Sequence, residues 1–287
     1  VGIAALLAVV IFTAGGSRGR GDKHLRGGQL VSSTKLRARL LVERLYDQAR
    51  GRWPTKKQIL LGGIPLPVKL ETRHILFCGA PRTGKTQLIL SALRTIRERG
   101  ERAIVTDIKG DLMAALAARG DVLLNPFNNL TQPWSLFAEI RGPWDVDAMA
   151  EAVSPVGEGR DRVWSKRTQT LTAAAMTRLL ERGEATNERL RYFLTQAPTG
   201  ELAALVEGTE ASVFFGRAEE FTDSVRGGCG EALKPYKYLH PDAGASAFSI
   251  RRFVSDESRK GWLWLPYTAE QIKSLQPLLS TWISTSI

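Results

Sequence analysis

The chain has 287 residues, 43% hydrophobic and 24% charged, a composition that supports one large folded domain or two moderate ones. Two cysteines and three histidines, with no Cys-x-x-Cys spacing, argue against a disulfide framework and a structural metal site. The net charge of +11 is concentrated between Ser17 and Arg52, where ten basic residues meet three acids, so the remainder is too mildly basic to indicate nucleic-acid binding by charge alone.

The first 14 residues are uncharged and almost wholly apolar, and basic residues follow them at once. This run is short for a membrane span, but the basic flank is typical of the cytoplasmic side of one. We therefore expect residues 1–16 to be a partial transmembrane helix; the alternative is a signal-peptide core that ends in small residues. Residues 17–58 then form a basic juxtamembrane linker and helix, whose charge either is solvated or contacts DNA or lipid.

The next part of the chain alternates between two hydrophobic periods. Short apolar runs predict buried strands at residues 75–78, 103–107 and 122–124. Helical spacing of apolar residues predicts helices at residues 31–49, 85–99 and 112–118. Strands that alternate with helices predict an α/β fold with a parallel sheet.

From Trp134 onward the pattern is helical. Predicted helices cover residues 145–154, 163–182, 187–196 and 199–207, with no strand among them. We interpret residues 134–247 as an all-α domain inserted into an α/β domain of residues 59–133 and 248–287. The second part of that domain contains a predicted buried strand at residues 262–265. A last helix, residues 268–287, starts with a capping box of Thr268 and Gln271, and Pro277 is expected to kink or restart it.

One motif carries chemistry. The phosphate-binding pattern G-x-x-x-x-G-K-[ST] is matched in full by Gly79, Ala80, Pro81, Arg82, Thr83, Gly84, Lys85 and Thr86. The glycines allow backbone N–H groups to point inward, and the helix that follows directs its positive end at the phosphates. Lys85 is the candidate catalytic residue, expected on the β- and γ-phosphates, and Thr86 is expected to bind Mg²⁺. The expected ligand is therefore ATP with Mg²⁺.

A P-loop enzyme also needs a carboxylate at the tip of a second strand. Asp107 ends the strand that follows the P-loop helix, but it equally suits the start of the next helix. We expect Asp107 near the site and not as the main Mg²⁺ ligand. No better Asp-Glu pair follows a strand, so we expect the hydrolytic half of the site to lie outside this chain.

Several tryptophans and one basic cluster could each have either a structural role or a role in DNA binding. Base stacking and core packing both suit the tryptophans, and we expect core packing for Trp134, Trp164, Trp262, Trp264 and Trp282, because each has apolar neighbours in sequence. A basic cluster at the start of a long helix either faces DNA or is a solvated helix face; it consists of Arg160, Arg162, Lys166 and Arg167.

These features occur in an order that resembles one family. The segments that carry the resemblance, besides the P-loop, are residues 26–31, 63–67, 73–76, 107–111, 124–126 with Trp134, 248–251, 261–264 and 275–282. With them the sequence resembles the TraD/TrwB coupling proteins of conjugative type IV secretion, and is more similar to the TraD branch. A P-loop alone is shared by many families, whereas this ordered set with its helical insertion is much more specific.

The resemblance implies a RecA-like nucleotide-binding domain with an inserted all-α domain and an N-terminal membrane anchor. It implies a hexameric ATPase of the bacterial inner membrane, with its main domain in the cytoplasm. Such an ATPase receives the relaxosome proteins and their single-stranded DNA and drives the DNA toward the secretion channel. The family's second acidic motif would follow residue 287, so we expect a C-terminally truncated member.

Two other functions compete with a DNA-translocating motor. A membrane-anchored docking adaptor would gather the relaxosome and channel components and use nucleotide as a switch without hydrolysing it. An unrelated P-loop kinase or transport ATPase is the third possibility. The apolar start and the helical insertion argue against a small-molecule kinase, and the sequence has no transporter signature.

Overall fold

A computed structural model describes residues 31–51, 56–157, 159, 161–241 and 244–287. The predicted transmembrane segment and residues 17–30 of the basic linker lie outside these described residues. Among the helices that are described, none combines the length and the apolar character needed to cross a membrane. The chain divides into two compact units, the first ending at Glu101 and the second beginning at Arg102. Each unit is described by itself below.

The described part of the first unit contains two α-helices and a small hairpin. Its elements are α1 (Ser33–Ala49), β1 (Leu60–Leu61), β2 (Ile64–Pro65), a 3₁₀ turn (Val68–Leu70) and α2 (Lys85–Glu98). The antiparallel pair β1–β2 is joined by Gly62 and Gly63, both with positive φ. A two-residue hairpin loop with positive φ at both positions favours glycine, so this dipeptide determines the turn. The predicted helices at residues 31–49 and 85–99 are confirmed to within two residues at each end.

The predicted strand at residues 75–78 is wrong. Residues 74–80 have neither helix nor strand structure, Leu76 is 86% exposed, and Cys78 is exposed rather than buried. An apolar run indicates only a tendency to be buried, while a strand also requires a neighbour that accepts its backbone hydrogen bonds. A run of four residues therefore cannot by itself establish a strand.

The second unit contains a parallel sheet and most of the helices. Its elements are β3 (Ile104–Asp107), α3 (Asp111–Leu116), β4 (Val122–Leu123), α4 (Trp144–Val153), α5 (Asp161–Glu181), α6 (Asn187–Thr195), α7 (Thr199–Leu205), α8 (Glu219–Leu233), α9 (Ile250–Ser255), β5 (Leu263–Pro266) and α10 (Ala269–Ser286). The strand order is β3-β5-β4, and both pairs are parallel. The predicted parallel sheet is thus confirmed. Its central strand is β5, which pairs with both neighbours, and every residue of this strand is buried.

Asp121 connects two strands of this sheet through its side chain. One carboxylate oxygen accepts the backbone N–H of Trp262, and the other accepts the indole N–H of Trp264, both at 2.8 Å. Gly261 passes so close to the carbonyl of Gly120 that a Cβ there would collide with it. These contacts align the start of β5 beside β4 and bury both indole rings.

The chain leaves and rejoins the sheet region at two residues that lie side by side. Trp134 and Phe248 form an isolated parallel bridge, and the Phe248 N–H donates to the Pro133 carbonyl at 3.0 Å. Between them, the described residues contain α-helices, 3₁₀ turns and loops but no strand. Their apolar faces form a continuous core with the sheet, to which the fully buried Leu171 and Leu265 both belong.

Three features of the helices differ from expectation. The short helix α9 was not predicted. The helix α8 was not predicted, because Gly227, Gly228 and Gly230 lower helix propensity over that stretch. The last helix is continuous, so Pro277 does not restart it. Proline removes the hydrogen bond to the carbonyl of Lys273, which is an exposed residue where water can replace the donor. The predicted capping box of Thr268 and Gln271 is confirmed.

Candidate nucleotide-binding site

The P-loop residues enter α2 through a left-handed glycine. Gly84 is the N-cap of α2, with φ 86° and ψ 10°, a conformation that residues with a Cβ rarely adopt. A glycine N-cap has no side chain to accept hydrogen bonds from the first turn of its helix. The N–H groups of that turn are therefore available to an anion, and the helix dipole favours negative charge at this position.

The loop in front of Gly84 is closed by short-range contacts. The hydroxyl of Thr83 donates to the carbonyl of Ala80 at 2.8 Å. A Cβ at Gly79 would lie 2.8 Å from that same hydroxyl, so only glycine fits without a shift. Arg82 has φ 65°, an uncommon conformation for a residue with a side chain. Gly79 and Arg82 thus occupy positions that the tight loop requires.

Lys85 directs its ammonium group into the loop. Its Nζ donates to the carbonyl of Gly79 at 2.7 Å and to that of Ala80 at 2.6 Å. An ammonium has three donors, so one remains for a further acceptor such as a phosphate oxygen. Thr86 lies in the first turn of α2 and is exposed. The glycine-lined turn, the lysine and the helix end together fit a phosphate group.

Asp107 lies in the second unit, at the end of β3. It is buried, and its Oδ2 accepts the backbone N–H of Met113 at 2.9 Å. Since Met113 is in the first turn of α3, the carboxylate satisfies one N–H at the start of that helix, but the helix itself begins at Asp111 after the N-cap Gly110, so Asp107 does not start it. Its assignment as a metal ligand stays a prediction.

Polar groups from all three strands meet at the carboxyl edge of the sheet. The side-chain N–H₂ of Asn125 donates to the carbonyl of Pro266 at 2.6 Å, and the Tyr267 N–H donates to the carbonyl of Asp107 at 3.2 Å. Burial raises the pKa of the Tyr267 hydroxyl above its usual value. This edge is where parallel α/β sheets usually bind ligands.

Of the five tryptophans that were expected in the core, four are buried there. Trp134, Trp262, Trp264 and Trp282 are each at most 1% exposed. The prediction is wrong for Trp164, which is 42% exposed on α5. Its basic neighbours Arg162 and Lys166 are also exposed, while Arg160 lies outside the described residues. Sequence reasoning missed Phe221, which packs beside Trp164 because α8 folds against α5, and Arg217, which lies over the ring of Phe221.

Comparison with known protein families gives one clear match. A sequence-family profile described as the type IV secretion-system coupling protein DNA-binding domain matches residues 58–287. The coupling protein TraD of Escherichia coli (strain K12) is 25% identical over 280 aligned residues, which cover 91% of this chain and 36% of TraD. The chain therefore spans just over a third of the length of that relative.

Solved structures of the plasmid coupling protein TrwB have a similar fold. The unbound form of TrwB, 29% identical, gives a TM-score of 0.78 over 91% of this chain and 59% of that chain. TrwB in complex with the GTP analogue GDPNP gives 0.79 at the same identity, over 94% and 62% of the two chains. TrwB with ADP and Mg²⁺, also 29% identical, gives a TM-score of 0.77 over 91% of this chain and 60% of that chain.

Proposed function

Because the chain belongs to the family of type IV secretion-system coupling proteins, we propose that it is the nucleotide-binding part of a DNA-transfer motor in bacterial conjugation. In this proposal a membrane-anchored ATPase links the relaxosome to the secretion channel and drives single-stranded DNA toward it. The observation that carries the proposal is the P-loop, in which the Lys85 ammonium lies on the carbonyls of Gly79 and Ala80 before a glycine-capped helix.

The proposed nucleotide is ATP with Mg²⁺. TrwB structures contain ADP with Mg²⁺ and the non-hydrolysable analogue ADPNP, which supports this assignment. Lys85 would hold the β- and γ-phosphates with its remaining donor, and the first-turn N–H groups of α2 would hold the rest of the phosphate chain. Thr86 would bind the metal through its hydroxyl. The nucleotide supplies the free energy of phosphate transfer, and these residues bind and orient it.

A P-loop recognises phosphates and not the base. The structure of TrwB with a GTP analogue is in keeping with this point. We therefore expect GTP to compete with ATP for Lys85 and its loop, since both carry the same triphosphate.

The larger architecture is proposed on the same basis. Residues 59–133 and 248–287 would form a RecA-like domain, with the all-α domain of residues 134–247 inserted between them. The parallel bridge of Trp134 and Phe248 supports this division, because it lies at both proposed boundaries. A homo-hexamer at the inner membrane, anchored through residues 1–16, with its main domain in the cytoplasm and with channel components as partners, completes the proposal.

The test is Mg-ATP binding and turnover by the purified chain, with and without single-stranded DNA. Lys85→Ala should weaken nucleotide binding by about 10- to 100-fold, the value of one charge-assisted hydrogen bond to phosphate. Lys56→Ala is the matched control, since this exposed lysine only pairs with Glu101 at the surface. Equal affinities in both variants would contradict the site.

The same experiment separates the motor from the adaptor. Turnover that rises with single-stranded DNA, and is lost in Lys85→Ala, supports a motor. Relaxosome binding that survives Lys85→Ala supports a docking adaptor that uses nucleotide as a switch, whereas nucleotide binding without turnover fits either function, because the sequence shows no second acidic motif.

A further inference from the structure

An exposed aromatic pair lies where α5 packs against α8. The ring centroids of Trp164 and Phe221 are 5.9 Å apart, at an interplanar angle of 42°. Trp164 is 42% exposed, unlike the four tryptophans of the core, and Phe221 is half-buried. The two rings therefore present part of their surface to solvent at the junction of α5 and α8.

Two arginines lie over this pair. The guanidinium of Arg167 is 4.7 Å from the ring centroid of Trp164 and 4.8 Å from that of Phe221. The guanidinium of Arg217 is 5.0 Å from the ring of Phe221. We call Trp164, Arg167, Arg217 and Phe221 the Trp164 surface. It combines flat π faces with fixed positive charge.

A basic groove of about 480 Å³ adjoins this surface along α5. Arg162, Lys166 and Arg167 line it together with Phe214, and Glu210 is its acidic member. Arg162 and Lys166 are four residues apart and therefore project from the same side of the helix. Three basic groups against one acid give this groove a positive charge, although most of the second unit is not strongly basic.

Together these features point to one class of ligand. A nucleobase stacks on aromatic rings and on guanidinium planes, while its phosphates pair with nearby basic side chains. In a duplex the base faces are covered by one another, so only a single strand presents them. An apolar protein segment would pack against the rings, but it has no negative charge to pair with the basic residues of the groove.

We propose that the Trp164 surface binds single-stranded DNA, with bases stacked on Trp164 and Arg167 and phosphates on Arg162 and Lys166. The inference rests on the proposed function and extends it by naming the surface that holds the strand. Every base can stack on an aromatic ring, so binding to the Trp164 surface is independent of the DNA sequence. Such binding suits a strand that must move past the protein during transfer.

The test is fluorescence anisotropy of a labelled oligo(dT) of about 20 nucleotides with the full chain in detergent. Trp164→Ala should weaken binding by about 5- to 100-fold, the value of stacking one base. Arg167→Lys keeps the charge but removes the plane, and we expect a loss in the same direction. Arg162→Gln and Lys166→Gln should each lower the slope of log affinity against log salt by about 0.7.

Matched controls come from the same unit. Trp144→Ala removes a tryptophan that is 72% exposed on α4, and Arg182→Ala removes an exposed arginine just beyond α5. Neither should alter DNA affinity by more than about twofold. Trp164→Phe keeps a stacking ring and should bind nearly as well as wild type, and the loss expected in Arg167→Lys keeps the test decisive if the Trp164→Ala variant unfolds.

The outcomes also separate this inference from the proposed function. If Trp164→Ala and Arg167→Lys bind as tightly as the controls, the surface is not the DNA site, while the nucleotide site stands. If the wild type binds Mg-ATP but no single-stranded DNA, the inference is likewise overturned. Weaker DNA binding in Trp164→Ala with unchanged Mg-ATP affinity is the supporting result.

Discussion

The guanidinium of Arg99 and the carboxylate of Glu71 are joined by two parallel hydrogen bonds, of 2.7 and 2.9 Å. Arg99 directly follows α2, and Glu71 directly precedes the segment that leads into the P-loop. The bidentate pair therefore closes the stretch of chain that contains Lys85. The Arg99 side chain is only 3% exposed, so the pair is shielded from water.

Replacing this arginine should destabilise the first unit. Arg99→Met leaves the Glu71 carboxylate without its partner, and we expect a loss of about 2 kcal/mol in the free energy of unfolding. Arg99→Lys should recover only part of this loss, because an ammonium cannot form the bidentate contact. Urea denaturation measures both. Lys57→Met, which removes an exposed ion pair with Glu98, is the control and should cost little.

Asp107 can be tested for its two roles separately. If Asp107 serves only to accept the Met113 N–H at the start of α3, Asp107→Ala should lower the free energy of unfolding by about 1 kcal/mol. Asp107→Asn keeps an acceptor for that N–H and should cost less. We expect the Mg²⁺ dependence of nucleotide binding to stay within about twofold in Asp107→Asn. Thr86→Val should shift that dependence by about tenfold, and Thr86→Ser should restore it. A tenfold shift in Asp107→Asn would instead make Asp107 a metal ligand.

Asp145 makes the stability of the second unit depend on pH in the acid range. It accepts three hydrogen bonds from Arg141 and one from Arg251. The side-chain bonds of Arg141, followed in order by its backbone N–H and by Arg251, hold the pKa of this carboxyl well below its usual range against the opposing effect of burial. A lowered pKa in the folded state stabilises the protein above the pKa of the unfolded state, and this contribution is lost as the pH falls below about 4.

We therefore expect Asp145→Asn to lower stability at neutral pH and to flatten its acid dependence. Urea denaturation at a series of pH values from about 7 to about 2 should show that the stability difference between the two proteins shrinks steadily as the pH falls below about 4. Asp147→Asn removes an exposed carboxylate from the same helical turn and controls for the lost charge. Parallel curves for wild type and Asp145→Asn would contradict the assignment.

Glu139 is a buried carboxylate that satisfies four donors. Its Oε1 accepts the indole N–H of Trp134 and the backbone N–H of Ile250, both at 2.7 Å. Its Oε2 accepts the hydroxyl of Ser249 and the N–H of Arg251, at 2.8 and 2.9 Å. The start of α9 thus compensates the buried charge, since helix N-termini favour anions.

Glu139→Gln should be severely destabilising for an isosteric change. The amide would direct its N–H₂ group at two of these donors, and we expect a loss of about 2–3 kcal/mol. Urea denaturation followed by tryptophan fluorescence measures the free energy of unfolding of both proteins. Glu151→Gln, at an exposed position of α4, is the control. A loss no larger than that of the control would show that the network is not required.

The sequence was most informative where a local pattern determines a local structure. Helical spacing, the P-loop glycines and the Thr268 capping box all depend on neighbours within a few residues, and the structure has these helices, the tight turn and the cap. The run at residues 75–78 was misread because strand formation depends on a distant partner. The Trp164 surface was missed because Phe221 reaches it only through the packing of two helices.

The helix α8 was missed for a different reason. Local propensity disfavours a helix that contains three glycines, but close packing between helices requires a small residue at one of these positions. A Cβ at Gly228 would collide with the hydroxyl of Thr168 on α5, whereas nothing lies within 4 Å of a Cβ at Gly227 or Gly230. The packing of the whole chain therefore outweighs the local preference here.

This difference predicts opposite effects for three chemically identical substitutions. Gly227→Ala and Gly230→Ala should each stabilise the protein by about 0.5–1 kcal/mol, because alanine restricts the unfolded chain and favours a helix. Gly228→Ala should destabilise it by about 1–3 kcal/mol through overpacking against Thr168. Adding Thr168→Ala to Gly228→Ala removes the colliding hydroxyl and should recover part of the loss. Thermal and urea unfolding of the four proteins measure this, and equal effects of all three alanines would show that α5 and α8 are not in close contact at Gly228.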